Sequence, residues 1–266
     1  MAHPSTGTAS PSTADSWVVK ATLLLASTLT VMSGATIAPS LPAMQIYFGE
    51  TTNVDFWVRL VLVMPALFIV MGSPIAGQLV DQVGRKPLMI GAAALYGFAG
   101  GSGLVLNSLP TILMGRALLG LAVAGVMVSA TTLIADYYLG DARASFMGLQ
   151  AAFMGLGGVL FLTVGGFVSD INWRLPFAIY LLAWLLLPTM ISALPEPQRQ
   201  NSVNDSSPNA SPIEHLPLKL MAFICASVLL TQMIFYLIPE QLPFYLKKLS
   251  NASATQSGLA IALSTL

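Results

Sequence analysis

The chain of 266 residues is 55% hydrophobic and only 8% charged, whereas charged residues make up about 25% of ordinary soluble domains. Its eleven basic and eleven acidic side chains cancel, which gives no electrostatic reason to expect nucleic acid as a partner. The single cysteine excludes a disulfide framework and a cysteine-based metal site. With a mean hydropathy of +0.77, this composition indicates an integral membrane protein in a lipid bilayer.

Seven apolar runs are long enough to cross a membrane, since a hydrocarbon core of about 30 Å needs about 20 apolar residues per helix. An eighth run begins near Ala254 and is cut off at Leu266. The sequence therefore predicts an all-α membrane fold with seven transmembrane helices and a truncated eighth. The predicted spans are residues 17–41, 58–80, 88–106, 110–138, 144–168, 176–194 and 218–242.

Two polar segments divide the chain. Residues 1–16 are rich in Ser, Thr, Pro and Ala but lack the basic start and cleavage site of a signal peptide, so we expect a disordered cytoplasmic tail. Residues 195–217 are rich in Pro, Ser and Asn and are typical of a flexible linker. Residues 17–194 are then a six-helix half, and residues 218–266 an incomplete start of a second half.

Lysine and arginine in the connecting loops predict the orientation. Across the first six helices, basic residues favour the side of the N-terminus by six to two, so that side is expected to be cytoplasmic. Those on the inside are Lys20, Arg85, Lys86, Arg143, Arg199 and Lys219, against Arg59 and Arg174 on the outside.

The most specific stretch is GQLVDQVGRKP, residues 77–87, between the second and third spans. Its spacing, G-x-x-x-D-x-x-G-R-K, resembles the signature loop between helices two and three of the major facilitator superfamily of secondary transporters. The alternative is an ordinary positive-inside loop. The resemblance implies a multi-pass protein of the plasma (inner) membrane that binds a small-molecule substrate and uses protons but no cofactor. The matching residues are Gly77, Asp81, Gly84, Arg85 and Lys86.

An internal repeat supports the predicted architecture. Halves of such transporters contain two three-helix units of inverted topology, and four residues of the loop recur after an offset of 89 positions. We therefore expect a six-helix bundle of two inverted three-helix repeats. The recurring pairs are Gly77 and Gly166, Asp81 and Asp170, Arg85 and Arg174, and Pro87 and Pro176.

Arg116 is the one charge predicted to lie well inside the apolar zone. A buried guanidinium is costly unless it is paired or faces water. With Gly120 four residues on, it resembles the helix-four motif of the superfamily, in which the arginine is associated with proton coupling. The alternative is a structural role, in which Arg116 bonds to backbone carbonyls.

Asp136, at the end of the fourth span, is predicted to lie on the same face as Arg85, because helices two and four of the resembled fold are neighbours there. We expect an ion pair between them that biases a gate, with Asp81 acting toward the other half. A solvated helix end is the alternative for Asp136.

The fifth span holds a glycine-rich stretch, residues 155–166, that resembles a motif of the proton-linked drug antiporters. Gly157, Gly165 and Gly166 fit it, whereas Phe161 and Leu162 replace its central Gly-Pro. This departure weakens the antiporter subtype. Close helix packing alone is the alternative explanation of these glycines.

The resemblance implies that helices one, four and seven line a substrate cavity. The polar candidates carry no charge, which favours a neutral or amphipathic substrate. Each is individually more typical of a structural role, since Ser and Thr in membrane helices mostly bond to their own backbone. Glu240 is the best remaining protonation candidate. The cavity candidates are Thr30, Ser33, Thr36, Gln150, Gln232 and Tyr236.

Enzymatic motifs are absent, since His3 and His215 offer no metal geometry and no loop is suited to bind phosphate. We expect a secondary active transporter, first a proton-coupled exporter of amphipathic compounds and second a metabolite uptake carrier. A truncated product that does not transport is the third reading.

Overall fold

The computed structural model describes residues 16–196 and 218–264, and the regular elements in these two ranges are helices. The predicted tail up to residue 15 and residues 197–217 of the predicted linker lie outside the described residues. The α-helices are α1 (Trp17–Ala35), α2 (Leu41–Tyr47), α3 (Val54–Val83), α4 (Arg85–Gly101), α5 (Leu109–Tyr137), α6 (Gly140–Ile171), α7 (Pro176–Ile179), α8 (Leu182–Ala193), α9 (Leu218–Ser250) and α10 (Ala254–Ser264).

The all-α membrane fold is confirmed. Within the described residues, seven helical segments are long and apolar enough to cross a bilayer, and each coincides with a predicted span. Most extend beyond the predicted limits, because helices continue through polar residues at the interface. The second, for example, runs over Val54–Val83 rather than residues 58–80. The shorter α10 begins at Ala254, where the eighth span was expected.

The first span is broken where its proline residues begin. Helix α1 ends at Ala35, and a 3-10 turn at Ala38–Ser40 leads into α2. The amide of Ile37 donates to the carbonyl of Gly34 at 3.3 Å instead of to that of Ser33, which an α-helix would use. The carbonyl of Ser33 is therefore left without a donor in its own helix.

The predicted loop at residues 77–87 is almost entirely helical, because α3 continues to Val83 and α4 begins at Arg85. Gly84 alone makes the turn, with φ 108° and ψ 162°, a conformation that essentially only glycine adopts. Asp81 lies in the last turn of α3. Gly77 makes no close helix contact within the described residues, because apart from the neighbouring backbone of α3 no atom lies within 4 Å of the position of a Cβ there.

The packing of the helices follows the inverted repeat. Helix α3 packs extensively on α5, as the resemblance implied, and α6 packs on α1. The repeat exchanges these two pairs, since it relates the first span to the fourth and the second to the fifth.

The side-chain contacts of the two repeated arginines, Arg85 and Arg174, correspond as well. Arg85 contacts Asp136, and Nη2 of Arg174 donates to the hydroxyl of Tyr47 at 3.3 Å. Arg174 follows Arg85, and Asp136 follows Tyr47, by the same 89 positions. The repeat is therefore present in contacts as well as in sequence.

Candidate functional site

We define the motif face as the end of the bundle where α3 meets α4 at Gly84, and the opposite face as the other end. On the motif face, Nε of Arg85 lies 3.0 Å from Oδ2 of Asp136, the penultimate residue of α5. The two side chains are 22% and 29% exposed, so water screens the pair, and it is worth about 1 kcal/mol at most. The contact joins the first residue of the third span to the end of the fourth.

Glu196 is a second partner of this turn that sequence reasoning missed. Its two carboxylate oxygens each accept a hydrogen bond at 2.9 Å, from the backbone amides of Arg85 and Lys86. These amides open α4 and have no acceptor in their own helix, and a carboxylate is favourable at that position. The hydroxyl of Tyr137 also donates to the carbonyl of Pro195. The first two residues of the predicted linker are thus bound to the motif face.

Arg116 is 1% exposed in the middle of the bundle. Its Nε donates to the carbonyl of Val61 at 3.1 Å, Nη1 to the hydroxyl of Tyr180 at 2.9 Å, and Nη2 to the carbonyl of Ser33. Tyr180 in turn donates to the carbonyl of Ser33 at 2.9 Å. One guanidinium therefore joins the first, second, fourth and sixth spans.

Both carbonyls that Arg116 contacts lack a donor in their own helix. The carbonyl of Val61 would normally accept a hydrogen bond from the amide of the residue four positions on. That residue is Pro65, which has no N–H. Ser33 loses its donor at the break of the first span, as described above. Gly120, one turn beyond Arg116, lies against the same proline, because a Cβ on it would contact the carbonyl oxygen of Pro65. This geometry explains the four-residue spacing of Arg116 and Gly120.

A cavity of about 540 Å³ lies between the first, second, fourth and fifth spans and the helices that follow the predicted linker. None of the described residues that line it carries a charge. Two methionines, Met127 and Met154, and Tyr236 provide adaptable apolar surface. Its lining is Thr30, Val31, Gly34, Ala35, Leu62, Ile69, Val123, Met127, Met154, Gly155, Gly158, Leu162, Gln232, Tyr236, Pro239 and Ile261.

The structure divides the six predicted cavity residues into two groups. Thr30, Gln232 and Tyr236 line the cavity and are its main polar side chains. The other three are absent from the lining: the hydroxyl of Ser33 donates to the carbonyl of Thr30, Gln150 donates to Ser27 at 2.8 Å, and Thr36 is fully buried. Ser33 and Thr36 lie at the break of the first span, whereas Gln150 contacts that span about two turns earlier, at Ser27.

The three glycines predicted for packing in the fifth span lie at close contacts of α6. A Cβ at Gly157 would stand 3.2 Å from Thr28, and one at Gly165 would contact the carbonyl of Thr36. At Gly166 it would lie 2.6 Å from the carbonyl of Ala254 in α10. These residues bring α6 against the first and eighth spans, where larger side chains would separate the helices.

Glu240 lies near the opposite face and does not line the cavity. Its Oε1 is 3.9 Å from Nη1 of Arg59 at the start of α3, and the two side chains are 25% and 36% exposed. The guanidinium of Arg59 also lies 5.0 Å from the ring centre of Phe244, a cation–π distance. These contacts join α3 to α9 on the opposite face.

The described part of the chain thus has a helical half with inverted repeats, a central cavity and charged contacts at both ends. The family model of the Major Facilitator Superfamily matches residues 23–266. This chain belongs to the Major Facilitator Superfamily. Members of the superfamily are transporters, not enzymes, and the chain is accordingly a multi-pass membrane protein of a transporter family.

Similar proteins of this superfamily include exporters by name. The chain is 26% identical to "Multidrug transporter protein MdtP" of Bacillus subtilis (strain 168) over 160 residues, which cover 60% of this chain and 29% of that protein. It is 29% identical to "Tetracycline resistance protein, class E" of Escherichia coli over 189 residues, which cover 68% of this chain and 45% of that protein. The chain thus matches less than half the length of either relative.

Solved structures show the same fold. A D-xylose-proton symporter matches with a TM-score of 0.67 at 16% identity, covering 94% of this chain and 66% of that one. A bacterial homolog of the human lysosomal transporter Spinster matches with a TM-score of 0.72 at 20% identity, covering 93% of this chain and 57% of that one.

Proposed function

We propose that the chain is part of a secondary active transporter that exports a neutral or amphipathic small molecule in exchange for protons. The observation that carries this proposal is the cavity of about 540 Å³ with an uncharged lining. Its volume is in the range of about 300–1,000 Å³ that is typical of small-molecule sites. The names of the multidrug and tetracycline relatives support export. Uptake of a metabolite is the alternative within the same superfamily.

The character of the lining supports the substrate class. A permanently charged substrate held in this cavity would need a side chain of opposite charge, since an unpaired charge in an apolar site is strongly unfavourable. Thr30, Gln232 and Tyr236 instead offer hydroxyl and amide groups to a polar end of the substrate, beside apolar side chains such as Met127 and Met154.

We propose that the motif face is cytoplasmic in the plasma membrane, as the excess of lysine and arginine on that face predicts. The paired Arg85 and Asp136, together with Asp81 and Lys86, then form a conformational gate at the cytoplasmic end. A pair worth about 1 kcal/mol biases a gate between two states but does not hold the fold together.

Two residues are candidates for coupling to protons. Glu240 is a carboxylate paired with Arg59 and partly open to solvent, so it has access to protons from the opposite face. The role of Arg116 in coupling stays a prediction, because its contacts with Val61 and Ser33 also fit a purely structural role. Proteoliposomes test it directly: an Arg116→Ala variant that keeps full substrate-driven proton flux would have no coupling role at this position.

Substrate accumulation tests the proposed transport. The complete product of the reading frame, and residues 1–266 alone, are expressed in cells that lack their own drug exporters. We expect the complete product to lower the accumulation of neutral amphipathic dyes, and a protonophore to abolish this effect. Higher accumulation of a metabolite would support uptake instead. No change with any compound would support a product that does not transport.

A matched pair of threonine variants connects transport to the cavity. Thr30 lines it, whereas Thr132 of α5 does not, and both are half-buried and bond to a carbonyl of their own helix. Thr30→Val is expected to raise the KM for dyes with a polar end by about threefold to tenfold, as the loss of one hydrogen bond predicts. Thr132→Val should leave KM unchanged, and equal effects of the two would contradict the assignment of the cavity.

A further inference from the structure

The carboxylate of Asp170 binds the start of α10, 84 residues further along the chain. Asp170 is the penultimate residue of α6, on the opposite face. Its Oδ1 accepts from the amide of Ala254 at 2.6 Å, and its Oδ2 accepts from the amide of Thr255 at 3.0 Å and from the hydroxyl of the same residue. These are the first two amides of α10, which have no acceptor in their own helix.

Helix α10 already has its own local cap, so Asp170 is not needed to begin it. The amide of Gln256 donates to Oγ of Ser253 at 3.2 Å, and the amide of Ser253 donates to Oε1 of Gln256 at 3.0 Å. This reciprocal pair is a capping box. The box leaves the amides of Ala254 and Thr255 unused, and Asp170 takes both. Its bonds therefore act between two spans, and not within one.

Small residues bring the two helices together beside the cap. Gly166 is one turn before Asp170 on α6, and a Cβ on it would lie 2.6 Å from the carbonyl of Ala254. On α10, a Cβ at Gly258 would contact the carbonyl of Leu162. The backbones of α6 and α10 thus touch over about two turns. The hydrogen bonds of Asp170 lie at the solvent-exposed end of this helix contact. Asp170 itself is exposed.

We propose that Asp170 is a positioning residue for transport, which acts through α10 to keep the opposite face closed. The proposal rests on the alternating-access transporter proposed above. Helix α10 follows the predicted linker, whereas α6 belongs to the six-helix half, so the cap joins the two halves. When this face opens, α10 must leave α6, and the bonds of Asp170 to Ala254 and Thr255 must break.

Access to the cavity from the opposite face tests this role without any substrate. In the complete product, every cysteine, Cys225 among them, is replaced by Ser, and Met154 in the cavity lining is replaced by Cys. A membrane-impermeant maleimide is then added from the Asp170 side. Asp170→Ala is expected to raise the labelling rate about fivefold or more, as the loss of a charged helix cap predicts. Asp170→Asn should have an intermediate effect, because an amide oxygen still accepts one hydrogen bond.

Two controls separate a gate from a loss of structure. Asp141→Asn changes an exposed carboxylate at the other end of the same helix and should leave labelling unchanged. Gln256→Ala removes the side-chain acceptor of the local capping box of α10 but keeps the bonds of Asp170. Its labelling should rise much less than that of Asp170→Ala. Equal rises in these two variants, or no rise in Asp170→Ala, would overturn the proposal.

The same assay distinguishes the two proposals. Increased labelling in Asp170→Ala without transport by the parent protein would support the gate contact and contradict the proposed function. Dye transport by the parent protein with unchanged labelling in Asp170→Ala would do the reverse.

Discussion

Nε of Arg116 donates to the carbonyl oxygen of Val61 at 3.1 Å, and this is the carbonyl that Pro65 leaves without an N–H donor. The arginine therefore replaces a hydrogen bond that the proline removes from α3. It makes the same kind of replacement at Ser33, where the first span is broken. A buried charge at this position thus replaces one missing backbone hydrogen bond in α3 and another at the end of α1, beside the cavity.

This relationship predicts a specific rescue. Arg116→Ala should lower the free energy of unfolding by about 1–3 kcal/mol for each buried carbonyl that it leaves unpaired. Pro65→Ala restores an amide donor to Val61, so the double variant should be more stable than the sum of the two single effects by about 1 kcal/mol. Unfolding in mixed micelles with increasing dodecyl sulfate measures the four proteins of this cycle.

Pro74 supplies the control for that cycle. It also lies inside α3, but between three and four turns away from the contact of Arg116 with Val61. Pro74→Ala should therefore not rescue Arg116→Ala. If both proline variants rescue it equally, the effect comes from general stabilisation of α3, and the account of Arg116 is wrong.

The contact between Gly84 and Glu196 predicts the outcome of a second double-mutant cycle of unfolding free energies. Gly84→Ala should cost about 1–3 kcal/mol from its backbone conformation alone. It should cost more in the native protein, because the added Cβ would lie 2.6 Å from Oε1 of Glu196. In a Glu196→Ala background the steric part disappears and the conformational part remains, so the cost of Gly84→Ala should fall but stay above zero. Equal costs in the two backgrounds would show that Glu196 does not bind this turn.

The sequence was sufficient for the features that depend on local pattern. Apolar length predicted the seven spans, and the offset repeat predicted the correspondence of the two units. The pairing of Arg85 with Asp136 was expected from the neighbouring helices of the resembled fold, and the structure brings them to 3.0 Å. Periodicity and charge placement carry this kind of information.

Contacts between distant helix ends could not be read from the same pattern. Glu196 looked like the first acidic residue of a linker, and its role depends on α8 ending beside the start of α4. Ser33 and Thr36 looked like cavity residues because they are polar and lie near Thr30. Because the first span is broken there, both side chains are buried between helices instead of lining the cavity. Only the path of the backbone reveals this.

Charge reversal tests the contact on the motif face. Arg85→Asp and Asp136→Arg should each reduce transport severalfold, because like charges then face each other between the start of α4 and the end of α5. The double reversal should recover most of the activity, since a pair of about 1 kcal/mol is restored in the opposite sense. Initial rates of dye efflux measure the effect. Arg143→Asp, an exposed reversal on the same face, is the control. Failure of the double reversal to recover activity would contradict the gate contact.

Transport in proteoliposomes with an imposed pH gradient tests the central claim most directly. The complete product is reconstituted, and the movement of a neutral amphipathic dye and of protons is followed in the same vesicles. We predict that the dye moves against the direction of proton flow, that it speeds the collapse of the gradient, and that Thr30→Val weakens both effects while Thr132→Val does not. Dye movement equal to that in protein-free liposomes under both directions of the gradient would contradict the account.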